Sequence, residues 1–295
     1  MIARLSNTSP FGISRTALAC GFAALLLCAT FAGCAISRPD KVALPARHSI
    51  RADQLLVVSD FKIAKEHPLL QDLILLRQKV SQQLELPLSS KPVMVYLFSN
   101  ELEYNQYWQA TYPGYPLRRA YFIQTPNKEL AVYTSWSEKI QEDLRHEFTH
   151  GLLHASLETV PLWIDEGLAE YFEVKGQSPG QVNADYVRKL ATMTQNGWRP
   201  DMARLERLEK VEQMQRTDYR EAWAWTHFML HDSPESRRVL LDYLKELRDN
   251  PHPDRLSDKL ADAVGDPDGR LLHYVAALAA PPEHTAVRPV SATVP

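Results

Sequence analysis

Two histidines four residues apart, with a glutamate directly after the first, stand out in this chain as His146-Glu147-Phe148-Thr149-His150. On a helix, residues four apart lie on the same face, so both imidazoles can meet one metal ion, and Glu147, one step round, faces the ion's open side. A catalytic zinc takes three protein ligands and leaves one position for water, whose pKa it lowers to about 7. Glu147 is then placed to take that water's proton and hand it to a leaving group. With 10 His in 295 residues, such a pentapeptide arises by chance in roughly one chain in fifty. A third ligand is therefore needed.

In some zinc peptidases it is a His six residues after the motif, with a Gly at three; here Leu153 and Ser156 occupy those positions, and that arrangement fails. A glutamate from a following helix is on offer instead. Glu166 comes 16 residues after His150, with Pro161 breaking the first helix between them. Gly167 has no side chain and would let the second helix lie close against the first. Glu170, one turn on from Glu166, is expected to accept the outer N–H of a ligating histidine and fix its tautomer. His154 continues the row at intervals of four, but each step drifts by about 40° round the helix, so it is expected to support the site without ligating.

His146-Glu-Phe-Thr-His150 followed by Pro161-Leu-Trp-Ile-Asp-Glu166-Gly-Leu-Ala-Glu170-Tyr171 resembles the gluzincin superfamily of zinc metallopeptidases, and most of all its small bacterial peptidase-MA-like branch. The likeness spans about 30 residues. It implies one Zn2+ per chain held by His146, His150 and Glu166, with Glu147 as general base. It also implies a zincin-like α+β fold, in which a small mixed sheet and the active-site helices precede an all-helical C-terminal half.

The elements that must position these residues can be read outward from the motif. The first active helix is expected over 137–156, capped by Ser137, and the second over 162–174. Before them, 119–124 and 129–134 form a hairpin around Thr125-Pro126-Asn127-Lys128. In gluzincins the strand before the active helix is a sheet edge that pairs with an extended peptide, and 129–134 occupies that place in order. Further upstream, Leu55–Val58 and Pro92–Phe98 read as strands, and 67–84 reads as a helix. A short helix capped by Asn100 carries Tyr104, Tyr107 and Trp108 as core. From 181 onward the pattern is helical, at roughly 181–196, 202–214, 218–231, 234–248, 254–264 and 267–279.

The oxyanion formed on hydrolysis needs a hydrogen-bond donor, which gluzincins take from beyond the third ligand. Tyr219, 53 residues after Glu166, is the first choice; His227 and Tyr186 follow.

The start of the chain reads differently. Arg4 and Arg15 precede an apolar run from Ala17 to Ala32, the layout of a secretory signal. Phe31-Ala32-Gly33-Cys34 resembles the bacterial lipobox, which implies cleavage before a lipidated Cys34. A soluble secreted protein cut nearby and an uncleaved anchor are the competing readings. Cys20 and Cys28 lie within the signal, so the mature chain would carry one acylated cysteine and no disulfide. Ala35 after the cysteine suggests the outer membrane, facing the periplasm.

The expected organisation is a lipoprotein signal at 1–33, a tether at 34–50, a catalytic part at 51–176, a helical part at 177–280 and a disordered tail at 281–295. The formal charge of −3 becomes −5 without the signal, and no basic patch of the kind nucleic acid requires is present. The expected function is an envelope metallopeptidase, membrane-bound through Cys34 and acting on a peptide or protein substrate. A hydrolase of cell-wall peptides and a zinc-fold scaffold with little turnover remain open.

Overall fold

A computed structural model describes residues 2–4, 43–174 and 182–280. Most of the expected signal, Cys34, most of the tether and the 281–295 tail lie outside the described residues. Among the described residues, no helix is long and apolar enough to cross a membrane.

The chain is α+β. Strands β2 (His48–Ala52), β3 (Leu55–Ser59), β4 (Val93–Phe98), β5 (Ala120–Gln124) and β6 (Leu130–Ser135) form one mixed sheet, with Ile2–Arg4 (β1) paired in parallel at one side of β5. The order across the sheet is β1-β5-β6-β4-β3-β2. Strands β3, β4 and β6 run parallel, whereas β2 is antiparallel to β3 and β5 to β6.

Two expectations change here. The last residues read as tether, 48–50, belong to β2, which pairs with β3 residue by residue from His48↔Ser59 to Ala52↔Leu55. Secondly, 129–134 is not the sheet edge. β6 lies between β4 and β5, and all six of its residues are buried. A strand so fully covered belongs in the middle of a sheet. The hairpin therefore turns its first strand, β5, outward.

Helix α1 (Pro68–Leu84) starts with Pro at its first position and with His67 Nδ1 accepting the Leu69 N–H at 3.2 Å. It buries Leu69, Leu70, Leu73, Leu76, Val80 and Leu84, and truncating one of these leucines to Ala would cost about 2–5 kcal/mol. Helix α2 (Glu101–Thr111) is capped by Asn100, whose side chain accepts the Glu103 N–H at 3.0 Å. Its Tyr104 and Trp108 are fully buried, and Trp108 stacks on Tyr121 of β5 with ring centroids 3.9 Å apart.

The site helices are α3 (Ile140–Ser156) and α4 (Leu162–Glu173). α3 begins three residues later than expected: Ser137 Oγ accepts the Lys139 N–H at 3.2 Å, ahead of the helix, and Lys139 is the uncapped N-terminal residue. Gly151 brings α3 down onto the sheet, since a Cβ there would lie 2.5 Å from Val93 Cγ1. α4 is buried from Leu162 to Phe172, as befits a central helix. Its other side meets α7 (Arg216–His231), after α5 (Ala184–Gln195) and the four-residue α6 (Met202–Leu205). The helix expected over 202–214 is therefore much shorter.

Gly167 serves the α7 contact rather than the α3 contact expected of it. A Cβ on Gly167 would stand 2.5 Å from Thr226 Oγ1 and 2.6 Å from the Ala222 carbonyl oxygen. Helices α8 (Pro234–Glu246), α9 (Leu256–Val264) and α10 (Pro267–Ala279) complete the helical half. One apolar core joins the two halves, running from Leu73 and Val95 through Trp163 and Leu168 to Trp223, Phe228 and Leu240.

Candidate metal centre

α3 and α4 bring His146, His150 and Glu166 together, so that one donor atom from each lies within 4.8 Å of the others. His146 Nε2 is 3.5 Å and His150 Nε2 3.8 Å from Glu166 Oε2, and the two Nε2 atoms are 3.2 Å apart. The donor set is two imidazole nitrogens and a carboxylate oxygen, a combination suited to zinc.

Two observations test whether a cation fits there. Both carboxylate oxygens of Glu166 are buried without a hydrogen-bond partner among the described residues, and a buried ionised carboxylate left so is very costly. Burial lowers the affinity of His146 for a proton, yet the Glu166 and Glu173 carboxylates outweigh it and raise the imidazole well above its ordinary pKa. The cluster therefore calls for a positive charge between its donors, which a metal ion would supply.

The outer nitrogens of the histidines are held, but not as expected. His146 Nδ1 lies 3.0 Å from Glu173 Oε2, and His150 Nδ1 2.8 Å from Asp165 Oδ1. Glu170 instead accepts the Tyr186 hydroxyl at 2.8 Å. Asp165 and Glu173 were missed, although Glu173 was within reach of helical spacing. Glu173 is seven residues from Glu166 and so shares its face, whereas Asp165 points about 100° away from Glu166 and its role came only from packing. His154 is outside the donor cluster, with its Nε2 on Asp165 Oδ2 at 2.7 Å.

Glu147 is almost fully buried, and its Oε2 accepts the backbone N–H of Phe122, on β5, at 2.7 Å. The outward-turned strand thus fixes the carboxylate that the motif supplies. The Phe122 ring lies along the His150 and His154 imidazoles, at centroid distances of 6.0 and 5.4 Å.

Arg145, one residue before the motif, secures α3 to the end of α4. Its guanidinium donates to the carbonyls of Phe172 at 2.6 Å and Glu173 at 3.1 Å, and to Asp72 of α1 at 3.1 Å. Cations near a helix C-terminus are favoured by its dipole, and this one sits where Glu173 must meet His146.

A cleft of about 230 Å³ opens onto His146, Glu147 and Glu166, and Tyr219 lines it too. Burial first, then the Glu166 charge, raises the Tyr219 phenol above its ordinary pKa, so it stays a protonated donor. The other two oxyanion candidates are engaged elsewhere: Tyr186 on Glu170, and His227 Nδ1 on the Tyr274 hydroxyl at 2.6 Å. Arg118 and Arg119 also line the cleft, and sequence spacing gave no sign of them. Arg119 is paired with Asp143 at 2.7 Å. Arg118 lies beside the Tyr219 hydroxyl and over the Tyr121 ring at 6.0 Å. Apart from Ala120, the cleft walls are charged or hydroxylic.

Residues 142–252 match the profile of a protein family described as a protein of unknown function (DUF1570). This stretch contains the two histidines, Glu147, Glu166 and Tyr219. No curated protein matches the chain.

Proposed function

We propose that this chain is a zinc-dependent hydrolase of peptide bonds, tethered in the bacterial envelope through a lipid on Cys34. The observation that carries the reading is the convergence of three ligand-type atoms from α3 and α4 with a buried glutamate that an edge-side strand holds in place. When bound, zinc supplies a Lewis acid that polarises the scissile carbonyl and acidifies a water.

The chain's own groups do the rest. Glu147 accepts the water's proton and returns it to the departing amine, so that water and amide become acid and amine. Its hydrogen bond to the Phe122 N–H keeps one oxygen occupied and orients the other. Tyr219 donates its hydroxyl to the oxygen that gains charge, a contribution worth about 3–4 kcal/mol when well aimed. An extended substrate finds backbone partners along β5, which in a chain cleaved before Cys34 would be the open edge of the sheet. The lipobox resemblance of Phe31–Cys34 supports the anchor, and more than one acyl chain gives stable attachment.

The test is zinc content beside hydrolysis of an unbiased peptide library, for wild type and Glu147→Gln. The expected result is one zinc per chain in both and cleavage by wild type alone, with loss of about 10²–10⁴-fold in the variant. Tyr219→Phe should retain zinc and lose about 10²–10³-fold in kcat. Zinc in both proteins with cleavage in neither would turn the reading towards cell-wall peptides or a scaffold. Fatty-acid labelling that persisted in Cys34→Ser would remove the anchor.

A further inference from the structure

Asp165 is fully buried and has two partners. Its Oδ1 meets His150 Nδ1 at 2.8 Å, and its Oδ2 meets His154 Nε2 at 2.7 Å. All three side chains are at most 1% exposed. We propose that His154 is a positioning residue for the metal site, acting through Asp165 to hold His150 in the tautomer that presents Nε2 to the ion. This inference rests on the zinc reading above and adds a residue to it.

The chemistry follows from what each atom can do. An ionised carboxylate only accepts, so both imidazole nitrogens that face it carry protons. A proton on His150 Nδ1 leaves the lone pair on Nε2, the nitrogen 3.2 Å from His146 Nε2 and 3.8 Å from Glu166 Oε2. That outcome holds only while Asp165 Oδ1 stays on His150 Nδ1. A carboxylate held at one oxygen alone is free to turn about its Cβ–Cγ bond, a broad torsion in Asp. A turned Asp165 would release the His150 Nδ1 proton, and with it the ring orientation and tautomer that present Nε2.

His154 prevents that turn by holding the second oxygen of the same carboxylate at 2.7 Å. Its other nitrogen, Nδ1, has no partner among the described residues, so the bond to Asp165 is the polar contact that accounts for a histidine here. The Phe122 ring flanks both imidazoles and keeps them from swinging away. A leucine would fill the same space within this apolar surround, and only the N–H would be lost.

The experiment measures zinc dissociation constants of the full chain by competition with a chromophoric chelator, for wild type, His154→Leu, His154→Gln and His154→Asn. The Leu variant is expected to bind zinc about 10–100-fold more weakly. Gln can extend its amide N–H to Asp165 and should recover most of that loss, whereas the shorter Asn should not. The visible spectrum of the cobalt-substituted protein should shift in Leu and Asn and match wild type in Gln.

Wild-type zinc affinity in a folded Leu variant, or a Gln variant as weak as Asn, would overturn the proposal. If Leu does not fold, Gln against Asn decides the matter alone. A wild-type chain that fails to hold one zinc would instead remove the underlying metal reading.

Discussion

Asp165 and Glu170 stand five residues apart on α4, both buried, and their carboxyls behave oppositely. Burial pushes each upward. At Asp165 the His150 and His154 imidazoles outweigh burial and hold the carboxyl well below the usual range. At Glu170 the neighbouring Glu173 charge adds to burial, and the carboxyl is pushed up to about 8. Burial thus sets the size of the cost, and the charge of the partner decides its sign. The inner end of the site is a satisfied network that fixes His150, while the outer end is a crowded acidic pair facing the cleft.

Removing the shared partner of the inner network should have the largest effect. Asp165→Ala would leave two buried imidazole N–H groups unpaired and is expected to cost about 3–5 kcal/mol, read from urea unfolding. Glu170→Ala should cost less than half as much, and equal losses would break the contrast. Next comes the packing that holds the inner end in place. Gly167→Ala drives a methyl into Thr226 and the Ala222 carbonyl, at about 1–3 kcal/mol. Gly114→Ala, where a Cβ meets nothing within 4 Å, should stay within about 0.5 kcal/mol of wild type.

The outer end can be probed through the metal. Glu173→Gln deprives His146 of its charged partner and should weaken zinc binding about tenfold, whereas Glu170→Gln, whose hydrogen bond goes to Tyr186, should leave it near wild type. Equal effects would mean that the two glutamates share one role.

The contrast also shows in pH dependence, measured on metal-stripped protein. Glu170 titrates near 4.5 when unfolded and near 8 when folded. The native state therefore binds the extra proton between those values, and stability falls as pH rises through that window. Asp165 works in the opposite sense: its contribution is present above its ordinary value of 3.8 and is lost as pH falls below it. Thermal melts from pH 4.5 to 8 should slope downward less in Glu170→Gln than in wild type. Parallel slopes would place the titration on another group.

Much of the fold could be read in advance where the signal was local. α1, the Asn100 cap of α2 and the starts of α8 and α10 follow from apolar periodicity, capping residues and prolines, all acting within a few residues. β2 was missed because His48–Ala52 carries little apolar content, and its pairing comes from β3. The order of the hairpin strands was read backwards for a related reason. Both runs look like buried strands, and only the rest of the sheet decides that β6 pairs with β4 and β5 turns outward.

The candidate site divides along the same line. Residue types and helical spacing were enough to bring out His146, Glu147, His150 and Glu166, because two imidazoles four apart share a face before anything else folds. What packing alone settled is which carboxylate reaches which imidazole, which strand amide holds Glu147, that Gly167 opens towards α7, and that Arg118 enters the cleft. Those are contacts between distant segments, 59 residues apart for Gly167 and Thr226 and 101 for Arg118 and Tyr219. A helix fixes its own face by its period, but the neighbour that face meets is chosen by the packing of the whole core.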